Sequence, residues 1–362
     1  MRSVRIPLLI VVLATLIAPA FVAAGPYDDD WQGVVAECIY PWGKRLWEPM
    51  ERVVPKKAYR IGISIPSLGS PYFVNQVYGY LTEAQATGVG ITILAAKGYE
   101  DLQGQVSQIE NLINKKVDAL IMAPISAEGI AAVVNVAIQK KIPVYFLGEA
   151  AQTKNLTGYA SENDYDLGYR GMDWLCRNIK GKGKIAILAG PAGNTYTESI
   201  NKGARAALKN YPDVKLTDEK WGDSEDPAVG QELAENLLNA TPDLNGFFVV
   251  EAQVHGVANT LKERKLTEKV AIATVYPFQE TIPYIQDGSV DYGVTGYSLT
   301  NARIILNMVI RNLNGEFEVP RYVWTPGLDI TREGIAKFPR FHVWAPEGWQ
   351  PPSVMVVEPK KK

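Results

Sequence analysis

Aromatic and acidic side chains recur directly after the apolar runs of this sequence. Tyr72 and Phe73 open a helical stretch just beyond the run at 59–65, and Tyr99 follows Gly98 after the run at 91–95. Glu149 and Glu251 follow the runs at 144–147 and 246–250, and Tyr276 and Tyr297 follow those at 270–274 and 292–295. Rings with carboxylates nearby suit a cation, which a ring quadrupole attracts by ~0.5–2 kcal/mol per contact. A sugar also stacks on rings, but it needs more hydrogen-bond partners. Each residue has a plainer use as well. Tyr72 and Phe73 can pack a helix start, and Glu149 and Glu251 can cap a helix or form an ion pair. Asn163 stands near the middle of the chain, where it can be a turn residue. The segment Gly190-Pro191-Ala192-Gly193-Asn194 precedes a helix and can cradle an anion. It lacks the Lys-Ser/Thr of a phosphate loop, which speaks against a nucleotide.

Catalytic and cofactor chemistry finds little to work with. Two histidines (His255, His342) and two cysteines (Cys38, Cys176) offer no ligand spacing for zinc or haem. There is no Gly-x-Ser-x-Gly and no paired His/Asp motif. The expectation is a binding protein without a cofactor, with His255 a helix-face residue. Lys plus Arg is 37 and Asp plus Glu is 39, a net charge of −2 that gives no reason to expect nucleic acid as a partner. Cys38 and Cys176 stay open between a disulfide and two independent thiols.

The elements that must position these residues alternate strand and helix. Strands are predicted at 59–65, 91–95, 119–123 and 144–147, with helices at 72–86, 101–114 and 127–140 between them. The pattern restarts after a helix at 167–179. Strands at 184–189, near 214, and at 246–250, 270–274, 292–295 and 321–324 alternate with helices at 197–208, 226–240, 253–264 and 298–313. Strands this apolar are covered on both faces, so the fold class is α/β with two doubly wound parallel-sheet lobes. In open sheets of this kind ligands bind beyond the carboxyl ends of the strands, here the cleft between lobes. Residues 1–24 carry Arg2 and Arg5, an apolar run at 6–20 and small residues at 22–24. This reads as a signal peptide cleaved after Ala24, giving an exported, soluble periplasmic protein. Trp31, Trp42 and Trp47 make the extension at 25–58 too apolar for a free tail, so it is expected to pack on a lobe. The Pro- and aromatic-rich tail at 337–362 is expected to wrap a surface.

Ser70-Pro71-Tyr72-Phe73, the stretch at 118–124 ending in Pro124, the stretch at 142–147 and the stretch at 190–195 occur in an order that resembles the type I periplasmic binding proteins, the ribose-binding-like group. The resemblance covers about residues 59–335. Within the group the chain is similar to the TorT-like trimethylamine-N-oxide-sensing binding proteins, through Pro66-Ser67-Leu68, Tyr78-Gly79, Gly88-Val89, Gly98-Tyr99 and the tail. The resemblance implies lobe 1 from 59–160 plus 297–320 and lobe 2 from 161–296 plus 321–336, with crossings near Ser161, Gly296 and Pro320. It implies closure on a small-molecule ligand held by Ser70, Tyr72, Phe73, Tyr99, Glu149, Asn163, Asn194, Glu251, Tyr276 and Tyr297. The partner would be a membrane sensor kinase or an ABC permease. The chain departs from the family's sugar pattern. Gly148 and Glu149 replace an Asp-Arg pair, Glu198 stands nearest a usual Arg, and Glu251 and Tyr276 replace Asn and Asp. The expected ligand is therefore a small nitrogenous solute such as an amine oxide or quaternary amine. The alternatives are a sugar delivered to an ABC transporter and, in another class, a secreted α/β enzyme.

Overall fold

Runs such as Ile61-Gly62-Ile63-Ser64-Ile65 and Phe247-Phe248-Val249-Val250 are buried along their whole length, because helices cover both faces of the strands they form. The computed structural model describes residues 31–153 and 155–360, so the signal-peptide reading of 1–24 lies outside the described residues. The described chain opens with an antiparallel hairpin of β1 (Val35–Ile39) and β2 (Arg45–Pro49). It continues as β3 (Arg60–Ile65), α1 (Pro71–Thr87), β4 (Gly90–Ala95), α2 (Leu102–Asn114), β5 (Ala119–Met122), α3 (Ala131–Gln139), β6 (Val144–Leu147) and β7 (Gly158–Glu162). The second series is α4 (Asp164–Asn178), β8 (Lys182–Leu188), α5 (Thr195–Leu208), β9 (Asp213–Lys220), α6 (Pro227–Ala240), β10 (Gly246–Val250), α7 (Gln253–Glu263), β11 (Ala271–Val275), α8 (Ile282–Asp287) and β12 (Tyr292–Thr295). Then come α9 (Ser298–Leu313), β13 (Tyr322–Thr325), β14 (Leu328–Ile330) and β15 (Val356–Val357). Among the described residues no helix is long and apolar enough to cross a membrane.

Two sheets result. The first has the order β15-β4-β3-β5-β6-β7-β13-β1-β2 and the second β14-β12-β11-β10-β8-β9. Helix α9 packs on α1 and so belongs with the first sheet. The assignment of 321–336 to the second lobe is corrected. β13 pairs parallel with β7 in the first sheet, and only β14 reaches the second, antiparallel to β12. The third crossing therefore falls between Thr325 and Leu328 rather than near Pro320. Its cause is the hairpin: β1 takes β13 as its antiparallel partner, with Cys38 opposite Val323.

The extension supplies strands to the first sheet. Trp31 is fully buried, and its indole N–H donates to Glu83 on α1 at 3.0 Å. The same carboxylate accepts from Arg52 Nε at 3.1 Å and from the Asn307 amide on α9 at 2.8 Å. One buried acid thus joins the extension, α1 and α9, and each acceptor oxygen has a donor to offset its desolvation. Trp42 and Trp47, by contrast, stay on the surface, Trp42 stacked on Tyr40 at 4.8 Å. In the tail, β15 pairs with β4 at the far edge of the sheet. The two cysteines are free and buried in different cores, Cys38 under the first sheet and Cys176 under the second. Burial pushes both thiols up to about 12, where neither forms the reactive thiolate at neutral pH.

Candidate functional site

Parallel strands end at a common edge, and here the two edges enclose a cavity of 530 Å³. Its wall is read off the strand ends in turn: Ser70 and Tyr72 beyond β3, Tyr99 beyond β4, Glu149 beyond β6 and Glu162 closing β7. From the other lobe come Asn194 and Tyr196 beyond β8, Ser224 beyond β9, Glu251 beyond β10 and Tyr276 beyond β11. A hollow of 700 Å³ beside Trp174, Asn245 and Arg332 lies at the opposite, amino-terminal edge of the second sheet. Topology favours the cleft as the ligand site.

Local sequence explains the presentation. Ser70 stands at the N-cap of α1 with Pro71 in the first turn, where the missing N–H costs nothing. Tyr72 and Phe73 therefore fall in the turn that meets the cavity. Glu251 and Tyr276 each hold left-handed backbone, φ 57°, at a strand end. That conformation costs a non-glycine residue about 1–2 kcal/mol.

The rings form a belt across both lobes. Tyr99 lies 6.3 Å from Phe73, Phe73 5.4 Å from Tyr72, Tyr72 6.1 Å from Tyr276 and Tyr276 6.4 Å from Tyr196, centroid to centroid. Their hydroxyls donate to acids. Tyr72 reaches Glu162 Oε2 at 3.2 Å, Tyr276 reaches Asp164 Oδ1 at 2.5 Å, and Tyr196 reaches Glu251 Oε2 at 3.2 Å. Ser224 also donates to Glu251 Oε2.

Of the residues expected from sequence, Ser70, Tyr72, Phe73, Tyr99, Glu149, Asn194, Glu251 and Tyr276 line this one cavity. Two do not. Asn163 caps α4, its side chain accepting from the Asp166 N–H at 3.1 Å, and Tyr297 packs its ring on His342 at 5.1 Å. Both sit at lobe crossings, where the backbone leaves the cleft edge. His255 lies on α7, bonded to Thr281 at 2.9 Å and stacked on Tyr284. The sequence reading missed Glu162, Asp164, Tyr196 and Ser224. Tyr196 had a signal, an aromatic in a first helical turn like Tyr72. Glu162 and Asp164 flank the first crossing, Glu162 ending a strand whose sequence Gly-Tyr-Ala-Ser-Glu is not an apolar run and Asp164 opening α4.

Burial raises the four buried carboxyls of the wall, Glu149, Glu162, Asp164 and Glu251. Glu149 rises to about 7 through burial alone. Glu251 also rises to about 7, through burial and the nearby Glu225 and Asp223, against hydrogen bonds from Ser224 and Tyr196. Burial likewise lifts Glu162 and Asp164, the latter well above the ordinary range, with Glu162, Glu149 and Glu251 adding repulsion. The sign follows from linkage. These acids hold protons in the folded state that the unfolded chain has released, so stability present below 4.5 is lost as pH rises to about 7. The melting temperature of the ligand-free protein should therefore fall between about pH 5 and about pH 8. Glu149→Gln combined with Glu251→Gln should flatten that slope in thermal scans, and an unchanged slope would contradict the assignment.

Two lobes of parallel sheet, a ligand-sized cleft at their strand ends and a ring-and-acid lining define a solute-binding protein. The chain belongs to the family described as periplasmic binding protein domain, which matches residues 61–317. The xylitol-binding protein of Mycolicibacterium smegmatis is 32% identical over 157 residues, 43% of this chain and 44% of that protein, so the chain spans less than half its length in that match. The D-allose-binding periplasmic protein of Escherichia coli is 25% identical over 260 residues, 67% of this chain and 83% of that protein. Among solved structures, an ABC transporter solute binding protein from Bradyrhizobium sp. BTAi1 with bound Bis-Tris superposes with a TM-score of 0.81. It is 24% identical and covers 89% of this chain and 98% of that one. The narrower resemblance is distant: the periplasmic protein TorT of Escherichia coli is 22% identical, over 82% of this chain and 84% of that protein.

Proposed function

We propose that this chain is the solute-binding component of an ABC importer and closes on a small hydroxylated solute, a sugar or sugar alcohol. The observation that carries the reading is the ring belt edged with acceptors. Rings stack on the C–H faces of such a solute, while carboxylates accept from its hydroxyls. The relatives named for xylitol and D-allose support the same class. The reading places the mature protein in the periplasm, after cleavage at Ala24, with a permease as its membrane partner. An amine oxide, the solute expected from sequence, fits less well. Its oxygen is an acceptor, and the hydroxyls of Tyr72, Tyr276 and Tyr196 already donate to Glu162, Asp164 and Glu251. The TorT-like sensor reading loses its ligand argument with it.

Thermal scans with xylitol, D-allose, ribose and trimethylamine N-oxide test this. A polyol at about 100 times its Kd should add ~2.7 kcal/mol to stability, and small-angle scattering should show the two lobes drawing together. A shift with trimethylamine N-oxide alone would overturn the proposal in favour of a sensor.

A further inference from the structure

We infer that the solute is a polyol bearing a protonated amine with N–H groups to donate, an amino-polyol or amino sugar rather than a neutral sugar. The inference rests on the hydroxylated-solute reading above and adds a charge to it.

The lining is one-sided. Glu149, Glu162, Asp164 and Glu251 stand around one cavity, three further acids stand at its exposed mouth, and no Lys, Arg or His lines it. The hydrogen bonds that Tyr72, Tyr276, Tyr196 and Ser224 make to these acids come from neutral hydroxyls, which fill a lone pair and supply no counter-charge. Two acceptor oxygens lack a well-formed protein hydrogen bond: Oε1 of Glu162, a residue only 1% exposed with the Asn301 amide as its polar neighbour, and Oε1 of Glu149. A buried, unsatisfied carboxylate oxygen is costly, and the group that best offsets it is a cationic N–H donor. The ring belt runs beside these oxygens and attracts the same cation.

The chemistry of the cation is narrowed by what the site lacks and needs. Among the described residues no three His, Cys, Asp or Glu side chains converge to hold a metal ion, so the charge is organic. A quaternary ammonium has no N–H for the open oxygens of Glu149 and Glu162. A primary or secondary ammonium has. A volume of 530 Å³ leaves room for a carbon chain with hydroxyls around that centre.

Calorimetry on the mature protein with matched pairs decides the point: N-methylglucamine against sorbitol, and glucosamine against glucose. The amine of at least one pair should bind about tenfold or more tightly than its neutral partner, the effect of one charge-assisted bond. In Glu149→Gln with Glu162→Gln that ratio should fall towards one. The wild-type comparison stands alone if the double variant folds poorly. If sorbitol or glucose binds as tightly as its amine, the charge is overturned and the hydroxylated-solute reading survives. If choline binds while every hydroxylated compound of the four fails, both readings fall. Binding by no member of either pair, with D-allose or xylitol binding tightly, also overturns the charge and leaves the solute class intact.

Discussion

Gly168→Ala is expected to lower the melting temperature although it places a better helix former in α4. Alanine gains about 1 kcal/mol over glycine in a helix interior. Here its Cβ would lie 1.9 Å from the carbonyl oxygen of Ile200 on α5. Gly203 on α5 makes the reciprocal approach, with a Cβ 1.9 Å from the carbonyl oxygen of Tyr165. Both obstacles are backbone, so neither can swing aside, and overpacking of this kind costs about 1–3 kcal/mol or more. The clash outweighs the propensity gain, and we expect a net loss near 2 kcal/mol, roughly 4–8 °C in Tm. The consequence reaches the cleft. α4 begins at Asp164 and α5 carries Tyr196 in its first turn, so spreading the helices separates two groups of the cavity wall. A rise in Tm in a thermal scan of Gly168→Ala would mean that the helices are not in backbone contact.

Gly296→Ala should weaken ligand binding by about 10–100-fold, the value of a hydrogen bond to a charged group. Gly296 lies between β12 and α9 at the second crossing, and a Cβ there would sit 1.7 Å from Cγ of Glu162. The stem of Glu162 crosses the bare glycine, which lets its carboxylate reach Tyr72. A methyl group displaces the acid and breaks that bond. Titration calorimetry with the tightest ligand of the panel measures the loss, with Glu162→Ala as the reference. Unchanged affinity in Gly296→Ala would remove Glu162 from the set of ligand contacts.

The strand ends explain why much of the cavity wall was legible. Tyr72, Tyr99, Glu149, Glu251 and Tyr276 each follow an apolar run within a few residues, and parallel topology sends every such position to one edge. Asn163 and Tyr297 obey the same rule on paper. They fail because at a crossing the chain turns away from that edge, and a side chain can be spent on a cap or on packing against the tail, as against His342. β7 escaped because Gly158–Glu162 is not an apolar run, even though it is fully buried.

Hydrophobic runs, Pro stops and helix periods are properties of short windows, so the sequence by itself determined the α/β alternation, the two lobes and the cleft between strand ends. Which lobe each late strand joins was decided only in three dimensions. β13 goes to the first sheet because β1, nearly three hundred residues earlier, lies against it. The charge of the site was decided the same way. Glu162 and Asp164 are ordinary acids in the chain, and they become a shared acidic wall only when the two lobes bring Glu149 and Glu251 around the same space. Charges and rings act through distance, and the distance between residues far apart in sequence exists only once the chain has folded.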